Sequence, residues 1–158
     1  MPRTTNLLRE VSETESQTDF TAVESLWNIL VRAALSKSHK NEFRRLQLLI
    51  TDLNSTQVIE LMRHPSIDTL LNIQPPLERI LTDQHERLQP EKIVTEFATI
   101  RAERIARPAK AAESLLGVLK RIRNKRIHGF KTPDGPRDTA ILGATRLLLK
   151  FLCDSLVH

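Results

Sequence analysis

The chain has 158 residues, 27% of them charged, and a formal net charge of +5. Such a length makes one domain with room for a sizeable core, and a Leu-, Ile- and Ala-rich content with four glycines and no tyrosine reads as all-α. One cysteine excludes an internal disulfide and fits a reducing, cytoplasmic setting; no apolar run approaches the ~18 residues of a membrane span, and Met1-Pro-Arg lacks the apolar stretch of a signal peptide.

Residues 1–18 are polar and offer only Leu7, Leu8 and Val11 for burial. They read as a mobile arm or weak helix ahead of a single domain at 19–158. The first firm helix is expected from Asp19 or Thr21, where Thr21-Ala-Val-Glu24 fits a capping box. Leu26, Trp27, Leu30, Val31, Ala34 and Leu35 give it an apolar face to about Ser36, so Trp27 reads as a core anchor rather than a base-stacking platform. A second helix is expected at about 41–52, with Phe43, Leu46, Leu49 and Ile50 inward, and Ser55 can cap a third through Met62. Prolines punctuate the middle of the chain. Pro65 ends the third helix, a short segment at 67–73 stops before Pro75-Pro76, and Pro76, Pro90 and Pro108 stand at the starts of helices at 77–88, 91–106 and 108–128.

The helix expected at 108–128 changes character along its length. Leu115, Leu116, Leu119, Ile122 and Ile127 keep one side apolar, while the last turns collect Lys120, Arg121, Arg123, Lys125 and Arg126. Cations there complement the negative end of the helix dipole, and Gly129 suits a left-handed cap. Neither consideration explains the choice of Arg123-Asn124 followed by His128-Gly129. A guanidinium matches a phosphate bidentately, and an imidazole exchanges a proton near neutral pH. On an ideal helix Arg123 and His128 lie about 140° apart, whereas Asn124 and His128 share a face. Arg123 and His128 therefore converge only if the last turn loosens, or if both edge a groove made with another element. Between Arg101 and Arg137 eleven Lys and Arg stand against Glu103, Glu113 and Asp134, a local +8 that leaves −3 elsewhere. That imbalance suits a polyanionic partner, and it also suits a solvated helix face.

A loop at 129–136 comes next, with Pro-Asp-Gly as a turn signal, and then a final helix at 137–156. Ile141, Leu142, Leu148, Phe151 and Leu152 belong to an apolar face broad enough for the centre of a bundle or a subunit interface. Asp134 and Asp138 read as turn former and helix cap, or as supports beside Arg123; Lys131 and Arg137 either bind backbone phosphates or keep the loop soluble. Cys153 reads as a small core residue. His39, His64, His85 and His158 stand at no metal-ligand spacing, and no P-loop or dinucleotide fingerprint occurs, so neither a metal nor a cofactor is expected. The sum is an all-α bundle of about six to seven helices.

Arg123-Asn-Lys-Arg-Ile-His128 resembles the R-x4-6-H signature of the HEPN superfamily, including the polar residue that often follows the arginine. The stretch from Phe130 to Asp138, leading into a terminal helix, is also similar to C-terminal HEPN segments, and the likeness covers about Ala109 to Leu156. The resemblance implies a C-terminal helical hairpin and metal-independent RNA cleavage by a homodimer whose two motifs meet at the interface. It gives His128 the role of general acid or base at the 2′-OH or the leaving oxygen, Arg123 that of holding the phosphate, and Asn124 that of orienting either. Lys120, Lys125, Arg126, Lys131 and Arg137 would then bind flanking phosphates. The superfamily also holds inactive versions, so a non-catalytic RNA- or protein-binding helical module is the alternative. Family expectation adds a toxin–antitoxin or defence setting, with an antitoxin or regulatory protein as candidate partner.

Overall fold

A computed structural model describes the backbone of residues 2–82, 90–128 and 135–157, and the side chains of 6–81, 91–125 and 135–157. Among the described residues there are nine α-helices and no strand: α1 (Pro2–Glu13), α2 (Asp19–Ala33), α3 (Glu42–Ile50), α4 (Ser55–Met62), α5 (Pro65–Leu71), α6 (Leu77–Thr82), α7 (Pro90–Glu103), α8 (Pro108–His128) and α9 (Pro136–Leu156). The expectation of an all-α bundle holds, with more helices than the six or seven anticipated. No described helix is long and apolar enough to cross a membrane.

Local chemistry sets the helix starts. Asn41 and Asn54 cap α3 and α4 through their side-chain oxygens, and Asn54 and Gln57 form a full capping box, so Asn54 rather than Ser55 is the cap. His64 caps α5 by accepting the Ser66 N–H at Nδ1, 3.0 Å away, and His39 accepts the Asn41 N–H in the same way. His85 and His158 lie outside the described residues. For α2 the cap is Thr18, whose Oγ1 accepts the Thr21 N–H. The capping box expected at Thr21–Glu24 is not formed, and Glu24 is left to another partner.

The core is continuous. Leu26, Ile29 and Leu30 of α2, Phe97 of α7, Leu115 and Leu119 of α8, and Leu148 and Leu149 of α9 are almost wholly excluded from solvent. Trp27 joins them, as its spacing predicts. The broad apolar face of α9 is spent within the chain, mainly against α2 and α5, while α8 packs mainly on α7 and α4. α8 and α9 are neighbours in sequence, and among the described residues their principal packing partners are other helices.

Of the two expectations for the N-terminal segment, a mobile arm or a weak helix, the structure has the helix. It is helical as α1, and Leu7 and Val11 enter the core. Arg146 of α9 holds the connection to α2: its guanidinium donates to the carbonyls of Thr14 and Gln17 at 2.8 and 2.9 Å and to Asp19 Oδ1 at 2.8 Å. Three carbonyl or carboxylate oxygens on one charged fork make a strong tether.

Cys153 is fully buried on α9, and its thiol donates to the Leu26 carbonyl, 3.6 Å away. Burial, with Asp154 beside it, pushes the thiol up to about 12. The thiolate is the reactive form. Iodoacetamide at about pH 8 should therefore leave the folded chain unlabelled and alkylate it once guanidinium unfolds it; equal labelling in both states would contradict this packing.

Candidate nucleic-acid interface

The basic tail of α8 is regular helix to His128. Its last turn does not loosen, so within one chain Arg123 and His128 keep an angular separation of about 140°. The His128 and Arg126 side chains lie outside the described set, as do Gly129, Lys131 and Asp134 altogether.

Arg123 turns toward α2. Its Nε donates to Glu24 Oε2 at 3.0 Å and its Nη2 to Glu24 Oε1 at 2.8 Å, a bidentate fork. Its Nη1 donates to Asn124 Oδ1 at 3.2 Å. The structure thus brings Arg123 and Asn124 together, and it adds Glu24, which the sequence presents as a capping residue. These bonds use three of the guanidinium's five donors, and the side chain keeps a quarter of its surface exposed. The arrangement fixes the plane of the guanidinium and also neutralises its charge.

The other expected phosphate ligands are dispersed. Arg137 opens α9 and donates to Asp138 Oδ1 at 3.4 Å, which makes Asp138 its partner rather than a support for Arg123. Lys125 is half-buried and engaged. Lys120 faces α3, with Nζ 4.4 Å from the centre of the Phe43 ring. Its pKa is lowered, first by burial and then by the charges of Arg121 and Lys92.

The local +8 is largely a property of the sequence rather than of the surface. Arg101 pairs with Glu78, Arg104 with Asp68, Arg107 with Glu103, Arg121 with Glu96, Arg123 with Glu24 and Arg137 with Asp138. Acids from distant parts of the chain have folded back onto the cationic stretch. Arg104 also donates from Nε to the Met62 carbonyl at 2.9 Å, so it serves the junction of α4, α5 and α7. Of the cations counted between 101 and 137, Lys110 and Lys120 make no ion pair among the described residues.

Those two lysines line one groove of about 550 Å³ between α3, α7 and α8, together with Arg44 and Lys92. Its acids are Glu96 and Glu113. Glu96 is taken by Arg121, Oε1 to Nε at 2.8 Å, with both side chains mostly buried. Gly117 makes that approach possible, because a Cβ there would fall on the Glu96 carboxylate. No group of His, Cys, Asp or Glu able to hold a metal ion occurs among the described residues. Comparison with family models, curated proteins and solved structures gives no match.

Proposed function

We propose that this chain is a metal-independent endoribonuclease of HEPN type, cutting RNA at the tail of α8. The observation that supports the reading is the pre-set guanidinium: Arg123 is held at Nε, Nη1 and Nη2 by Glu24 and Asn124, part-exposed, on the same unbroken helix as His128. A positioned guanidinium stabilises charge on a phosphate as it develops, with no reorganisation at the moment of reaction. His128 takes the proton of the ribose 2′-OH as the 2′-oxygen bonds to phosphorus. A proton returns to the 5′-oxygen as its bond to phosphorus breaks. The separation of about 140° along an unloosened helix favours a composite site, in which Arg123 of one copy works with His128 of a second in a homodimer.

A second reading rests on the same fork. A guanidinium neutralised by Glu24 serves as a structural cation, and the chain is then a non-catalytic helical module that binds RNA or a protein. Labelled RNA incubated with the protein in EDTA separates the two. The nuclease reading expects cleavage that falls by at least about 100-fold in His128→Ala, with the circular dichroism spectrum unchanged. A wild type that binds RNA and never cuts it leaves the binding module.

A further inference from the structure

We propose that single-stranded RNA runs along the groove between α3, α7 and α8, its phosphates met by Arg44, Lys92, Lys110 and Lys120. The proposal deepens the ribonuclease reading by giving its substrate a path, and it rests on that reading for the destination of the strand.

Charge is the first argument. Folding consumes most of the cations around the motif in internal pairs, but Lys92, Lys110 and Lys120 make none among the described residues and gather on one concave surface with Arg44. Arg44 spends one donor on Gln47, 3.0 Å away, and no carboxylate. Glu96 is already held by Arg121, which leaves Glu113 as the groove's single uncommitted acid. The pKa of Lys120 is lowered first by burial and then by Arg121 and Lys92, with Glu96 and Glu42 opposing. A groove lined mainly by one sign of charge concentrates a partner such as a phosphate backbone.

Register is the second argument. Lys110, Ser114, Gly117, Arg121, Asn124 and His128 succeed one another at spacings of three and four, so they form one row along α8. The groove occupies the first part of that row and His128 the register position at its end. Arg123 lies off the row, against α2. At 1.5 Å per residue, Lys120 is about 12 Å and Lys110 about 27 Å from His128 along the axis. A strand of several nucleotides spans that distance, passing beside Gly117 and Arg121, where Glu96 and its ion pair with Arg121 cover the row.

The test is fluorescence anisotropy of a fluorescein-labelled oligouridylate on full-length His128→Ala protein, which binds without cutting, across a KCl series. For single strands each lost phosphate contact reduces the salt slope by about 0.7. Lys92→Gln with Lys110→Gln, both at exposed positions, should lower its magnitude by about 1.4. Adding Lys120→Gln should bring the loss to about 2, with affinity down on the order of 100-fold near 0.1 M salt. Arg9→Gln on α1 should change neither quantity. The proposal is overturned if the lysine variants keep the wild-type slope and affinity. It is equally overturned if inorganic tripolyphosphate binds as tightly as the RNA with the same lysine dependence, which makes the groove a small-anion site. A wild type that cuts RNA with a KM untouched by the lysine changes keeps the nuclease and loses the groove; a protein that never cuts, yet loses RNA with the lysines, keeps the groove and loses the nuclease.

Discussion

Phe97→Ala should lower stability by about 4 kcal/mol and the melting temperature by roughly 8–16 °C. Ile93, Phe97 and Ile100 recur on one side of α7 and are all excluded from solvent, with 1% of Phe97 left exposed. That side is what α7 lays on α8, its main partner. Removing a ring from such a seam loses its transfer free energy and leaves a cavity that the helices close only in part. Val94→Ala is the companion, because Val94 is 53% exposed and should shift stability by less than about 0.5 kcal/mol. The groove should suffer along with the fold, since Lys92 and Glu96 stand on the same helix. Urea melts followed by circular dichroism give the numbers; a loss below about 1 kcal/mol for Phe97→Ala would mean that the α7–α8 seam is not what sets the groove.

Helix faces are legible in the chain because apolar residues three and four apart have one economical use, burial on one side. Trp27, Leu30, Leu115, Leu119 and Cys153 all lie where that rule puts them. The segment around α1 defeats it for a physical reason: three apolar residues in eighteen look too few to dock a helix. What holds its end is a charged fork from Arg146, 132 residues beyond Thr14. Glu24 is a similar case. Its spacing from Thr21 mimics a capping box, but Thr18 takes the Thr21 N–H, and the Glu24 carboxylate meets an arginine 99 residues away. Local patterns report local partners; neither pairing leaves a trace at short spacing. A charge count along the sequence fails for the same reason, because it weighs cations where they occur in the chain, whereas folding brings Glu24, Asp68, Glu78 and Glu96 to them. Of the candidate site, the chain reveals the helix, its basic tail and the Arg–Asn neighbours. It conceals which cations remain for a ligand.

Arg123→Ala should cost about 3 kcal/mol, and Glu24→Ala somewhat less. Both side chains are about three-quarters buried, so each truncation strands a partner charge away from full hydration. Alanine at position 24 leaves a long guanidinium that can swing toward solvent; alanine at position 123 leaves a short carboxylate that cannot. The double variant should be milder than the sum, with a coupling of about 2 kcal/mol in a double-mutant cycle. These numbers do not by themselves separate a scaffold from a catalytic group, because both readings need the fork. Glu24→Leu combined with Arg123→Met does. Replacing a desolvated ion pair by apolar groups of similar size tends to be neutral or stabilising, so this variant should melt within about 1 kcal/mol of the wild type. With the fold preserved and the guanidinium gone, RNA cleavage becomes the deciding readout. Its loss from a fully folded protein makes Arg123 a participant in the chemistry. Its persistence at the wild-type rate makes the fork a clasp between α2 and α8 and removes Arg123 from the site.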